Sequence, residues 1–311
     1  MKKRMMGNTG IEVSEIGFGA WQLGNESDWG KMADEEAIGL VHEALDAGCN
    51  FFDTAPNYGF GKSEELLGKA LKGKRDQVVI SSKCGHHTDD VQSFEPEKLL
   101  ESVEGSLKRL NTDYLDSLLL HNPPFSALDQ HSPQFQMLEK LKKQGKIRAY
   151  GASVDTAKEI NELLDKTDSQ IIEVMFNAFY QEPLPAMKRA YDEGVGLIVK
   201  VPLDSGWLTG KYDADSTFTG IRSRWSKEDI QFRSVLVEKV RRIIGDDQSM
   251  VKIALQYILS FKEVSTVIPG AKNSQQLQQN LAASKDLLSE DMMQALRGLW
   301  IEEIKGKSLP W

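Results

Sequence analysis

Cysteine is almost missing from this chain of 311 residues, which carries only Cys49 and Cys84. Two thiols are too few for a disulfide framework, and each sits in an apolar context, so both read as reduced core residues. Long apolar runs are missing too. No stretch approaches the roughly 18 residues that a membrane span requires. The basic start, MKKRMMGNTGIEV, lacks the apolar segment of a secretion signal. These absences lead to the expectation of a cytoplasmic protein. Basic charge is in deficit, 38 Lys and Arg against 46 Asp and Glu for a net −8, which argues against general nucleic-acid or lipid-surface binding. A local basic pocket is compatible with that balance. Histidines are few, and neither His42, in a helical pattern, nor His131, before another, has metal-ligand spacing. Asp53 and His121 are too few to hold a metal, and Lys83 would repel one, so none is expected.

What the chain does have is 40% hydrophobic residues, enough for a large core without staples. They are arranged in alternation. Eight short β-rich runs read EIGFGAW, CNFFDTA, VVISSK, YLDSLLLH, IRAYGAS, IIEVMFN, GLIVKVPL and VSTVIPG. Several are apolar on both faces, as parallel strands buried under helices are. Between them lie amphipathic segments such as DEEAIGLVHEALDAG, with Ile38, Val41 and Leu45 on one side and Gly48 closing. Eight strand–helix units predict an α/β fold, a (β/α)8 barrel of TIM type, as a single domain over 1–311. No G-x-G-x-x-G follows the first strand, which speaks against an open dinucleotide-binding sheet.

Three additions to a minimal barrel are expected. Residues 2–14, with an Asn-Thr-Gly turn, read as an N-terminal hairpin closing the barrel bottom. Residues 204–230 read as a long loop after strand seven, and 286–311 as a further helix and a tail. Loops this long are more often functional than decorative.

Chemistry enters at the strand ends. Asp53 and Tyr58 follow strand two, Lys83 ends strand three and His121 ends strand four. In a barrel the carboxyl ends of neighbouring strands share one mouth, so these four side chains converge. A phenol ionises near pH 10. An ammonium about 4 Å away favours the phenolate by roughly 4 kcal/mol at an effective dielectric of 20, enough to make the phenol a usable acid. Asp53 would fix Lys83, and His121 would hydrogen-bond a substrate oxygen or the phenol. Trp21, after strand one, reads as a wall of the substrate pocket, and Trp225, on the long loop, as a lid. Trp29, Trp300 and Trp311 read as rim or packing residues, while His86 and His87 read as ordinary loop histidines.

At this point the chain resembles the aldo-keto reductase family. The resemblance rests on Asp53-Thr54-Ala55-Pro56-Asn57-Tyr58-Gly59 with KSEELLG at 62–68, and on SSK, RLNTDYLD, LLLHNP, GKIRAYGAS, PLDSGWLTGKY and IPGAKNSQQLQQN in order. The nearest flavour is the bacterial and plant branch similar to potassium-channel β-subunits. The resemblance implies reduction of aldehydes or ketones with NADPH, favoured over NADH. Tyr58 would be the proton donor, Asp53 and Lys83 its tuning pair, and His121 the substrate-orienting group. It also implies that Ser153 touches the nicotinamide carboxamide. The backbone of Leu203, Ser205, Gly206 and Leu208, with Lys211, would hold the pyrophosphate. Gly270, Lys272, Gln276 and Asn280 would form the adenosine end. A sugar or polyol dehydrogenase, using the same site in reverse, and a cofactor-sensing regulatory subunit are the alternatives.

The chain departs from the family pattern beside the nicotinamide. Val154 stands where an asparagine is usual, Glu173 where glutamine is, and Lys200 where an aromatic ring often stacks. A Glu173–Lys200 pair beneath the nicotinamide is expected. Gln276 replaces an arginine common near the adenosine 2′-phosphate, which leaves NADP preference to Lys272, with Arg222 or Arg224 assisting.

Overall fold

The computed structural model describes residues 1–307 and 309–310, and the backbone alone at Ile221; Trp311 lies outside the described residues. The chain begins with an antiparallel hairpin of β1 (Lys3–Met5) and β2 (Glu12–Ser14). Eight parallel strands follow: β3 (Phe18–Gly19), β4 (Phe51–Asp53), β5 (Val79–Cys84), β6 (Leu115–His121), β7 (Ile147–Val154), β8 (Ile171–Met175), β9 (Gly196–Lys200) and β10 (Thr266–Val267). Each pairs with its neighbour in chain order. The curl closes where β3 meets β10, through bridges Ile16–Val267 and Gly19–Gly270 and a 2.8 Å bond from Gly17 N–H to the Val267 carbonyl. The eight runs read from the sequence are the eight barrel strands.

Helices flank the barrel: α1 (Glu26–Trp29), α2 (Asp34–Asp46), α3 (Lys62–Ala70), α4 (Pro96–Leu110), α5 (Pro133–Lys143), α6 (Ala157–Lys166), α7 (Leu184–Asp192), α8 (Lys227–Ile244), α9 (Met250–Leu259), α10 (Ser274–Ala282) and α11 (Glu290–Leu299). Their starts follow local chemistry. Pro96 opens α4 at a position that has no use for an N–H, and Thr156 with Glu159 forms a reciprocal cap on α6. The segment 204–230 is less of a loop than its composition suggests. It holds 3₁₀ turns at Asp204–Thr209 and Gly220–Arg224, and α8 already begins at Lys227 under a Ser226–Asp229 cap.

Two apolar layers result from the twofold alternation of strands. Outward residues such as Phe52, Ile80, Leu118 and Val199 pack under the helices. Inward residues Phe51, Val79, Leu119, Ala149, Ile171, Ile198 and Ile268 form a separate cluster, plugged from below by Met6, Ile11 and Val13 of the hairpin. Interior space is tight: at Gly151 an added Cβ would lie 1.7 Å from the Ile171 carbonyl oxygen, so only glycine fits. Both cysteines are buried and free, and burial raises the Cys49 thiol to about 11 and the Cys84 thiol to about 12. Among the described residues no helix is long and apolar enough to cross a membrane.

Candidate active site

Counting upward from the apolar layer inside the barrel shows why polar groups gather at its mouth. A step of two from Phe51 reaches Asp53, and from Leu119 it reaches His121; a step of four from Val79 reaches Lys83, and from Ala149 it reaches Ser153. The same alternation leads from Ile171 to Glu173 and from Ile198 to Lys200. Six consecutive strands, β4 to β9, thus each contribute one inward polar side chain at the carboxyl end.

Tyr58 comes from the turn after β4, and the family-like motif residues hold that turn. Thr54 Oγ1 and Ser63 Oγ lie 2.9 Å apart, and Ser63 donates to the Ala20 carbonyl at 2.8 Å. Glu64 is fully buried, pairs with Arg109 at 2.7 Å and accepts from Ser82 at 2.8 Å, tying α3 to α4 and β5. Breaking such a buried pair would release the turn that carries the phenol.

Lys83 is the electrostatic centre. Its Nζ lies 2.5 Å from Asp53 Oδ1, 3.2 Å from the Thr54 carbonyl and 3.3 Å from Glu173 Oε2, in a side chain with no exposed surface. Nζ also stands 5.3 Å from the centre of the Tyr58 ring. Burial alone would strip the proton from Lys83, but Asp53, Glu173 and Tyr58 together overcome it and hold the ammonium charged. Burial and the neighbouring Glu173 keep the Asp53 carboxyl well above the usual carboxylate range, against the pull of Lys83. The second carboxylate on this lysine has no sign in the sequence pattern, which places Glu173 beside the nicotinamide.

The phenol does not behave as the lysine alone would dictate. Desolvation raises Tyr58 above its ordinary value, and Asp53 and Glu173 add to that rise against the opposing effect of Lys83. The expectation of a lowered phenol is therefore corrected: one ammonium shared by two carboxylates has little positive field to spare. His121 meets Tyr58 edge-on at 6.0 Å between ring centres. Burial, followed by Lys83, His86 and Lys200, holds its imidazole well below the usual histidine range, so it is neutral. Its Nδ1 is buried without a hydrogen-bond partner among the described residues.

A cleft of about 850 Å³ runs from this cluster across the mouth. Trp21, Trp29, Asp53, Tyr58, His86, His121, Glu173 and Lys200 line one end. Leu203, Ser205, Gly206, Lys211, Arg222 and Arg224 line the middle, and Gly270, Lys272, Gln276 and Asn280 the other end. Trp21 lies tilted at 6.2 Å from Tyr58 and edge-on at 5.3 Å from Trp29, forming an aromatic wall. Arg222 caps that wall, 4.4 Å from the Trp29 ring centre, and donates to the Ser205 carbonyl at 3.2 Å.

Four expected contacts are placed differently. Ser153 lies fully buried beneath the cleft rather than on it, donating to Glu173 at 3.0 Å and accepting from Lys200 at 2.9 Å. The Glu173–Lys200 pairing gives way to two other ion pairs, Lys200 with Asp155 at 2.9 Å and Glu173 with Lys83 at 3.3 Å. Leu208 faces the core, and its N–H, like that of Gly206, is spent on the Leu203 carbonyl, at 3.1 and 2.9 Å. Trp225 is a packing residue, 6% exposed, set against Trp207 and Phe218, with Nε1 donating to the Pro310 carbonyl. A large ring beside a buried aromatic cluster gains more by joining it than by roofing a wet cleft.

The cleft's middle suits a pyrophosphate. Ser205 and Gly206 have positive φ values of 54° and 105°, which make a tight concave turn, and Lys211, Arg222 and Arg224 supply cations around it. Together with the polar floor at the proton-handling end, these residues fit an extended dinucleotide.

Comparison with known proteins agrees. The residue pattern of the Aldo/keto reductase family matches residues 15–301. L-galactose dehydrogenase of Arabidopsis thaliana is 34% identical over 94% of this chain and 90% of its own length. An NADH-specific methylglyoxal reductase of Escherichia coli is 32% identical over 93% of this chain and 95% of its own. Among solved structures, the holo form of an aldo-keto reductase from Bacillus halodurans superposes with a TM-score of 0.82 at 28% identity, covering 96% of both chains. The fold, the strand-end polar groups and these matches together establish that the chain belongs to the aldo/keto reductase family of oxidoreductases, which act on carbonyl and alcohol groups.

Proposed function

We propose that this protein reduces aldehydes or ketones to alcohols, with Tyr58 as the proton donor and NADPH preferred over NADH. The observation that supports this reading best is a phenol held protonated between Trp21 and His121, above a Lys83 that two buried carboxylates keep charged. The nicotinamide cofactor, when bound, supplies the hydride. Lys211, Arg222 and Arg224 would hold its pyrophosphate, and Lys272 and Gln276 its adenosine end. Glu173, Lys200 and Asp155 give the nicotinamide end a polar floor. Tyr58 donates a hydrogen bond to the substrate oxygen and releases its proton as negative charge builds there. Lys83 stabilises the phenolate left behind, and neutral His121 orients the oxygen without competing for the proton. Trp21 and Trp29 shield the reacting centre from water.

The test is a panel including 4-nitrobenzaldehyde and methylglyoxal, followed at 340 nm with each cofactor. NADPH-dependent turnover is the expected result; absence of turnover with either cofactor would sink the proposal. Lys272→Ala should lower the preference for NADPH over NADH about tenfold, the loss of one charge-assisted phosphate contact. An unchanged ratio would clear Lys272 of that role.

The opposite direction, sugar or polyol oxidation, is favoured by one observation, the identity to L-galactose dehydrogenase. That direction needs Tyr58 as phenolate, which the raised phenol opposes at neutral pH. Oxidation of L-galactose exceeding the reduction rate at pH 7 would bring it to the front.

A further inference from the structure

A histidine that must present one nitrogen to a substrate usually has its ring plane fixed by a hydrogen bond on the other nitrogen. His121 has no such bond, for its Nδ1 is buried without a partner among the described residues. Its orientation is therefore set by the rings it touches. Tyr58 meets it edge-on, and His86 lies over it at 4.6 Å between centres with a tilt of only 36°.

His86 is itself firmly held. Residues 85–93 form a small hairpin, bridged antiparallel between His86 and Gln92 and turned at Asp90, whose φ is +63°. Bonds of 2.9 Å run from His87 N–H to the Val91 carbonyl and from Ser93 N–H to the Gly85 carbonyl. The Gln92 side-chain amide donates to His86 Nε2 at 3.1 Å, and Phe94 packs edge-on against the same imidazole at 6.4 Å. Phe94 also fills the space beside Gly85, where a Cβ would come within 2.3 Å of its ring. The hairpin thus lays an aromatic ring against His121, and His86 lines the same cleft.

We propose that His86 is a positioning residue for His121, fixing by ring-on-ring contact the plane of the imidazole that orients the substrate oxygen. The proposal rests on the reading of His121 as the orienting group. Close contact between the two rings carries the effect, beside a hydrogen bond that also joins the His86 ring to the His121 backbone. An aromatic replacement should preserve it and a polar, non-aromatic one should not.

The experiment compares His86→Ala, His86→Phe and His86→Asn in the full chain. His86→Ala should lower kcat on the order of 10- to 100-fold, since small misplacements of an orienting group cost that much. NADPH affinity, read by fluorescence, should stay within about twofold. His86→Phe should regain most of kcat, and His86→Asn should not. In parallel, the ring Cδ2–Hδ2 NMR signal of His121 should shift or broaden in the Ala and Asn variants and stay sharp in Phe. The proposal is overturned if His86→Ala keeps kcat and the His121 signal unchanged. It is equally overturned if Asn rescues where Phe does not, or if kcat falls while the His121 signal stays as in the parent. Should the parent protein turn over no carbonyl at all, the reductase reading fails, whereas the NMR comparison still decides whether His86 orders His121.

Discussion

Tyr58→Phe is expected to lower kcat for carbonyl reduction by about 10²–10⁴, the contribution of one well-placed general acid. The substitution removes a single oxygen and keeps the ring that packs between Trp21 and His121. Cofactor affinity should hence stay within about twofold, so the loss falls on kcat and not on binding. Equal rates in the two proteins would remove Tyr58 from the chemistry. The pH dependence gives a second check. Because the folded phenol is raised, mainly by desolvation, it stays protonated through the neutral range and past the ordinary value near 10. Reduction should therefore show no loss assignable to Tyr58 below about pH 10, and any alcohol oxidation should climb with pH. The linkage to stability has the matching sign: the unfolded phenol ionises first, so the contribution of Tyr58 is intact below about pH 10 and is lost as pH rises beyond it.

Lys83→Met should destabilise the fold by about 3–5 kcal/mol, since it strands buried carboxylates without their counter-ion. Asp53 and Glu173 are 2% and 1% exposed, and both face the ammonium. In the variant Asp53 can survive inside the barrel only by holding its proton. Its folded value moves up from a position already raised. A raised carboxyl contributes stability below its unfolded value, near 4, and loses it as pH climbs through the folded value. Urea unfolding should accordingly show the variant's deficit growing as pH climbs past the raised Asp53 value of the parent. Adding Asp53→Asn should recover part of it at neutral pH. A deficit independent of pH would mean that lost packing, and not stranded charge, is the cause.

The barrel was legible because its signals are local. Eight runs apolar on both faces, each followed by an amphipathic segment, are a property of neighbouring residues, and all eight became strands. The hairpin at residues 2–14 and the closing segment at α11 were legible for the same reason. Residues 204–230 were read less well. Gly210 and Gly220 suggest a loop, but the capping pair Ser226–Asp229 starts α8 inside it, and Trp225 turns inward because Trp207 and Phe218 offer a dry surface.

The site divides along the same line. The sequence by itself determined which chemistry stands at the barrel mouth. Strand alternation sends Asp53, Lys83, His121, Glu173 and Lys200 to one interior end, and the motif around Tyr58 adds the phenol. Only the tertiary structure decided how those groups share charge. It gave Lys83 a second carboxylate, placed Lys200 on Asp155 and laid His86 over His121. It also reversed the expected effect on Tyr58. The physical reason is that alternation is a nearest-neighbour rule, fixed by backbone geometry. The field at a buried group, by contrast, sums desolvation with every charge within a few ångströms, and those partners come from strands and loops far apart in the chain.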